Sequence, residues 1–299
     1  MRWITRGCNT MVVSLVSNQI TRVRFPSPAQ KYLKAVENTV EKFSWERHGN
    51  DIAHLPFSYF TCAPYLEFCA WTTIANGERL LLWNEEDTGL TSIFLPQNPL
   101  NWTLFPIARA TLEDIARIDA LQRPHTAPIL EGTEFYYDAR SFLEPNAKNR
   151  REIQKLLAEK HPTLYYSYPP QKILAFYEFW KGQRERLPGI EEDEHFFRFC
   201  LERLERYSVQ QVYAEIGGEL AGFTWGVKHY SGNWVGLHLK GHRGYRGLSH
   251  LLHMERTKLF GIEDVVCLGT EAKDPKLRAH KFALHPSRTV DYYSCTVIT

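Results

Sequence analysis

The sequence predicts an α/β (α+β) protein of two domains, each a mostly antiparallel mixed sheet flanked by helices. Three observations carry that prediction. Val209–Ile216, Leu220–His229 and Asn233–Lys240 read as strands, and the turns between them, Gly217-Gly218 and Ser231-Gly232, suit tight hairpins, which makes an antiparallel meander. Amphipathic helical stretches precede the meander. A glycine-bearing loop then leads from the third strand straight into a further helix.

Taken in order, Gln30–Phe43 places Leu33, Val36, Val40 and Phe43 at helical spacing. Arg79–Trp83 and Thr91–Leu95 form a hairpin around the polar Asn84–Gly89 turn, and Pro96–Pro106 is a proline-rich loop. Thr111 and Asp114 stand at reciprocal capping positions and start a helix that runs to about Arg123. Phe135–Asp138 is a short strand, and Asn146–Lys160 a basic helix with Ile153, Leu156 and Leu157 as its buried stripe. Gln171–Glu185 and Glu194–Tyr207 are amphipathic helices parted by Pro188-Gly189, with Glu191–Glu194 as a charge run favoured by the helix dipole. Beyond the meander come a helix at Leu248–Phe260, a strand at Asp264–Gly269, a short helix at Asp274–Ala283 and a strand at Thr289–Ile298. The domains are expected at residues 30–160 and 161–299.

Residues 1–29 are basic and hold no acidic side chain. Val23-Arg24-Phe25 is encodable by GTTCGATTC, so Arg22–Pro28 resembles the in-frame translation of a transfer RNA 3′ end. The segment is expected to be a leader outside the fold, disordered or translated from a start placed too far upstream.

Composition excludes several classes. With 43% hydrophobic and 23% charged residues the chain is globular, and a net charge of +2 does not by itself call for nucleic acid or an anionic membrane. No apolar run reaches the roughly 18–20 residues that cross a bilayer. The six cysteines form no CxxC pair and no zinc-like spacing, so no metal site is expected and buried, reduced thiols of a cytoplasmic protein are.

The loop after Lys240 is the chemically informative stretch. Arg243-Gly244-Tyr245-Arg246-Gly247-Leu248 joins a strand to a helix whose first backbone N–H groups and dipole suit an anion. Glycines allow close backbone approach, and arginines add charge-assisted hydrogen bonds to phosphate. A purely structural strand-to-helix turn is the rival reading. Lys148, Arg150, Arg151 and Lys155 add a cationic cluster on the basic helix; a solvated helix face is its rival.

From about Phe135 to Val297 the chain resembles the phosphatidylglycerol lysyltransferase C-terminal-domain-like family of the GNAT superfamily, which has two GNAT-like halves. Phe135-Tyr-Tyr-Asp138, Lys148-Asn-Arg150-Arg-Glu-Ile153-Gln-Lys155, the Gly247 loop, Leu277-Arg278-Ala-His-Lys281, Pro286 and Tyr292-Tyr293 carry the likeness. The chain has Lys240 where the family usually has an acid, and Glu271 alone where paired acids are usual. The family's membrane flippase region has no counterpart.

The resemblance implies an acyl- or aminoacyl-transferase. Acyl-CoA or aminoacyl-tRNA would be the co-substrate, with no tightly bound cofactor, and a small molecule or lipid headgroup the acceptor. Lys240, Arg243, Gly244, Arg246, Gly247 and Leu248 would hold the carrier phosphates. Lys148, Arg150, Arg151, His238, Arg278 and Lys281 would contact substrate. Glu271, beyond a strand end, would take the acceptor's proton, and Tyr292 would protonate the departing atom. A GNAT-like module that binds a CoA thioester or RNA without turnover is the alternative.

Overall fold

A computed structural model describes residues 40–42, 55–73, 77–85, 89–183, 190–271 and 274–298. The expected leader, most of the expected helix at 30–43 and the Pro188-Gly189 turn lie outside them. The chain divides into two compact units, one of residues 1–53, 66–131 and 291–299, the other of 54–65 and 132–290.

In the first unit β1 (Val40–Lys42), β2 (Ala70–Thr73), β3 (Arg79–Glu85), β4 (Gly89–Ser92) and β5 (Ile107–Ala110) stand side by side, and the terminal strand β12 (Arg288–Cys295) pairs antiparallel with β5. Helix α1 (Ala63–Phe68) leads into β2. Val40–Lys42 pairs with Ala70–Thr72 and is therefore strand rather than the end of a helix. Cross-strand partners override local spacing there. The β3–β4 hairpin forms, with its strands reaching into the expected Asn84–Gly89 turn, since Asn84 pairs with Leu90 and Glu85 with Gly89. Helix α2 (Leu112–Ala120) opens with the predicted reciprocal cap, in which Thr111 and Asp114 bond each other's backbone N–H. Its Ile115 and Ile118 pack with Trp102, Ile107, Ala110 and Val297.

The second unit holds β6 (Ile129–Asp138, from Gly132 onward), β7 (Thr163–Tyr165), β8 (Gln210–Ile216), β9 (Glu219–Lys228), β10 (Trp234–Gly241) and β11 (Val265–Thr270), in the order β6-β11-β10-β9-β8-β7. All neighbours are antiparallel except β10 and β11. Gly217 and Gly218, at φ +64° and +85°, make the turn between β8 and β9, where two positive φ values suit the strand twist. Helices α3 (Ala139–Leu143), α4 (Ala147–Lys160), α5 (Pro170–Gly182), α6 (Ile190–Leu201), α7 (Leu248–Thr257) and α8 (Pro275–Ala283) surround the sheet.

Alternation along the strands sorts the helices onto two faces. Val212, Ala214 and Leu239 meet Ile153 and Leu156 of α4 and Leu248, Leu251 and Leu252 of α7. Tyr213, Phe223 and Trp225 point the other way, to Phe176 and Tyr177 of α5 and Phe197 of α6. There the rings of Tyr177, Phe197 and Trp225 lie nearly parallel, at centroid spacings of 3.9 and 5.2 Å. Leu157, expected in the buried stripe of α4, is 41% exposed. The helix needs only Ile153 and Leu156 to dock.

The boundary expected after residue 160 falls inside this second unit. Gly132–Asp138 joins its sheet through β11, and α4 packs on the α7 face. Those long-range pairings have no local sequence signal.

Candidate functional site

The site is built where β10 and β11 part. These parallel strands pair at Trp234↔Val266 and Val235↔Cys267, and no further pairing joins them. Beyond that point β10 stays with β9, through an irregularity between Gly236 and His238, while β11 stays with β6. Leu237 is the residue left over at the bulge. Backbone groups of β10 that would have faced β11 are thereby released from the ladder.

Helix α7 follows β10 through the Arg243–Gly247 loop. Gly247 caps the helix in the left-handed region, at φ +84°. An added Cβ would lie 2.7 Å from the backbone carbon and oxygen of Glu152 on α4, so only glycine fits. Arg243 and Arg246 are exposed and make no ion pair among the described residues. Lys148, Arg150 and Arg151 are exposed on α4; among the described residues Arg150 and Arg151 bond only carbonyls of their own chain neighbourhood, Pro145 and Ala147. Lys148 adds its charge to the surroundings of His250 on α7, whose pKa is lowered by burial, then by His280 and Lys148. The loop, the start of α7 and the basic start of α4 thus come together. Leu248 is buried and serves packing rather than contact with a ligand.

Lys240 is a correction. Expected at the loop, it lies one residue after Leu239 and therefore on the opposite sheet face, under α5 and α6. Its Nζ donates to both carboxylate oxygens of Asp193, at 2.9 and 2.8 Å, and sits 4.2 Å from the centre of the Trp180 ring. Tyr177 OH also donates to Asp193. Burial pushes the Asp193 carboxyl upward, but Lys240 and then His238 outweigh it and hold the group well below the usual carboxylate range. His238 shares this face, with Nδ1 3.6 Å from Asp193 and the rings of Phe196, Phe197 and Trp225 around it. Among the described residues its two ring nitrogens make no hydrogen bond, and burial lowers its pKa.

Glu271 is buried just past the end of β11. One oxygen accepts the Thr133 N–H at 2.9 Å and the other the Arg278 guanidinium at 2.7 Å; Arg278 also donates to Thr133 Oγ1. Lys281 does not share an open cleft with Arg278. It is buried and donates to the carbonyls of Leu268, Gly269 and Thr270 at 2.7, 2.9 and 2.6 Å, and burial pushes its pKa down to about 8. It fastens the end of β11. Tyr292 lies on β12 in the first unit, buried, with Arg109 over its ring at 5.5 Å.

A short segment that sequence reasoning missed completes the geometry. Tyr59 OH donates to the Leu237 carbonyl at 3.1 Å. Its ring also faces Gly269, where an added Cβ would lie 3.1 Å from Tyr59 Cδ2. Buried Glu134 accepts the Tyr59 N–H and Ser58 Oγ, at 2.8 and 3.0 Å. Nothing local marks Tyr59; its partners are 178 and 75 residues away.

Among the described residues no group of His, Cys, Asp and Glu converges as a metal site, and no helix is long and apolar enough to cross a membrane. The described cysteines, Cys62, Cys69, Cys200, Cys267 and Cys295, are buried thiols. Burial raises Cys62 to about 12 and Cys295 to about 11, which suppresses the thiolate.

No protein-family model and no curated sequence matches the chain. Solved structures do. A conserved protein of unknown function from Bacteroides thetaiotaomicron aligns over 87% of this chain and 99% of its own, with 13% identity and a TM-score of 0.69. The C-terminal DUF2156 domain of a protein named as a lysylphosphatidylglycerol synthetase, from Agrobacterium fabrum, aligns over 88% and 92%, with 11% identity and a TM-score of 0.57. L-PGS from Bacillus licheniformis aligns over 87% and 94%, with 10% identity and a TM-score of 0.57. The fold is that of the lysylphosphatidylglycerol synthetase C-terminal domain. At these identities the likeness is one of fold. In the second unit, the parting of β10 from β11 and the loop before α7 are the features that shape a site.

Proposed function

We propose that the chain is a GNAT-like transferase that moves an acyl or aminoacyl group from a CoA thioester or aminoacyl-tRNA to an amine or hydroxyl acceptor. A small molecule or a lipid headgroup is the acceptor. The observation that supports this most is the parting of β10 and β11 directly before the Arg243–Gly247 loop. It places strand backbone that has left the β11 ladder beside a helix N-terminus and five exposed cations: Lys148, Arg150, Arg151, Arg243 and Arg246. Carrier phosphates would bind at the loop. Backbone N–H groups of β10 would polarise the carbonyl, and the acceptor would attack it directly. In that step the new C–N or C–O bond forms as the C–S or C–O bond to the carrier breaks. The acceptor's proton passes to Glu271, which keeps a free lone pair on each oxygen besides its bonds to Thr133 and Arg278. Tyr292 belongs to the first unit and is given no part in this step.

The second reading is a module that binds the carrier without turnover. The bonds already made by Glu271, and Lys240 held by Asp193, favour it. Thermal-shift titration with CoA, acetyl-CoA and aminoacyl-tRNA, followed by release assays over a panel of amines and hydroxyl acceptors, tests both. Stabilisation with product formation supports transfer, and stabilisation alone supports the module. No stabilisation by any carrier, unchanged by Arg246→Ala, sinks both.

A further inference from the structure

We infer that Tyr59 is a specificity-determining residue that shuts the opening between β10 and β11 against an extended, amide-bearing carrier arm. This rests on the transferase reading of the same site and narrows it.

Two strands that separate leave N–H and C=O groups without ladder partners, and such groups recruit any extended chain that carries amides. Here that place is taken by the protein itself. The last paired residues are Val235 on β10 and Cys267 on β11. Leu237 and Gly269, each two positions further on, are the residues that Tyr59 touches from one side chain. The phenol hydroxyl donates to the carbonyl of Leu237, the bulge residue without a partner on β9. The ring covers Gly269, at φ +67°, where the missing Cβ gives it room. Tyr59 therefore fills the gap in width and satisfies a backbone group that an arm's amide would need.

The segment that carries Tyr59 is bolted down on both sides. Tyr230 OH donates to the Leu55 carbonyl at 2.6 Å, and Tyr136 OH to the Phe57 carbonyl at 2.8 Å. Ser58 and Thr61 cap the Tyr59–Thr61 turn reciprocally, and Thr61 Oγ1 lies 3.0 Å from His229 Nε2. Tyr59 also packs edge-on to Phe60, Tyr65 and Phe196. Lifting the side chain breaks several contacts at once, so the closure belongs to the resting fold. A carrier that delivers its ester at the strand surface, without threading an arm, is compatible with it. One that must lay a pantetheine-type arm between the strands is not.

The experiment compares CoA with 3′-phosphoadenosine 5′-diphosphate, which keeps all three phosphates and lacks the arm, by calorimetric titration of the full chain. The proteins are the wild type, Tyr59→Phe and Tyr59→Ala, with Tyr59→Leu as the fallback should the Ala variant not fold. The arm is expected to add nothing in the wild type, so CoA binds no more than twofold tighter than the arm-free nucleotide. In Tyr59→Ala, or Tyr59→Leu, CoA is expected to gain at least tenfold while the arm-free nucleotide is unchanged. Tyr59→Phe keeps the ring and is expected to stay within threefold of wild type. A wild type that binds CoA tenfold tighter than the arm-free nucleotide overturns the inference, as does a truncated variant in which CoA gains nothing. If the arm-free nucleotide binds and the arm adds nothing to any variant, the inference alone falls. If neither ligand binds any variant, the phosphate loop falls with it.

Discussion

Lys240 grips Asp193 with one ammonium on two carboxylate oxygens, and so ties the middle of the second unit's sheet to helix α6. The pair is nearly closed off from water on the lysine side, 9% exposed, and more open on the aspartate side, 31% exposed. Lys240→Met would leave a carboxylate facing His238 with its strongest partner gone. A fully buried pair broken in this way costs about 3–5 kcal/mol; the exposure of Asp193 lowers the expectation to about 2 kcal/mol. Urea unfolding at pH 7 reads it. A loss below about 0.5 kcal/mol would show that the pair is not formed.

Acid destabilises the protein through His229. Its Nδ1 accepts the Ser231 N–H, so the ring proton sits on Nε2, toward Thr61. Burial lowers its pKa to about 4, against a smaller upward pull from Thr61. An unfolded histidine titrates near 6.5, so between those values the unfolded chain binds a proton that the folded chain refuses. Stability therefore falls as pH drops from about 6.5 toward 4, by about 2 kcal/mol between pH 7 and 5. His238, also lowered by burial, acts with the same sign. Asp193, depressed by Lys240 against its burial, adds a further loss below the ordinary carboxylate range. Unfolding curves across pH for wild type and His229→Gln should differ in slope between pH 5 and 7; parallel curves would contradict the assignment.

Gly247→Ala is expected to destabilise by roughly 1–3 kcal/mol, since a positive φ and an overlap with the backbone of α4 act together. Neither neighbour is a flexible side-chain tip. The melting temperature should fall, and phosphate affinity should fall with it because the loop loses its support. A variant as stable as wild type would mean that α4 does not press on the loop.

Arg243 and Arg246 should behave in the opposite way. Both are exposed and without ion pairs among the described residues, so alanine there is expected to leave stability within about 0.5 kcal/mol. Each removal should weaken adenosine 3′,5′-bisphosphate binding by about tenfold, or 1.4 kcal/mol. Equal affinity in the double variant would remove the loop from the site.

Arg256 lies on α7, 1% exposed, and donates to Thr224 Oγ1 and toward His253 without a carboxylate partner among its contacts. Among the described residues its Nε makes no hydrogen bond, and burial pulls its pKa down. Desolvating a charge that nothing neutralises is costly, so Arg256→Met is expected to be neutral or to stabilise by about 1 kcal/mol in urea unfolding. A loss above about 2 kcal/mol would show that its bonds to Thr224 and His253 outweigh the desolvation.

What the sequence made legible was whatever short-range chemistry decides. The Gly217-Gly218 turn, the Thr111–Asp114 cap and the β10–loop–α7 succession depend on neighbours within a few residues, and each is where the residues placed it. Val40–Lys42 became strand because Ala70–Thr72 lies beside it. Asp193 stood in a charge run that reads as a helix start, yet it is the partner of Lys240, 47 positions on. The i, i+2 relation of His238 and Lys240 was the available signal, since two basic groups on one buried strand face require an acid from elsewhere. Tyr59 offered none, because its role depends on where two strands part.

The parallel rings of Tyr177, Phe197 and Trp225 give the molecule an optical label of its own. Trp225 is shielded from water and has its indole N–H bonded to Tyr213, so its emission belongs at the short-wavelength end. The His238 imidazole stands edge-on to the same indole, at 5.4 Å. A proton or a ligand arriving at His238 would change the field on that chromophore and so its colour and brightness. Fluorescence of the unmodified chain, with Trp225→Phe as the blank, would follow events on this face of the sheet in real time.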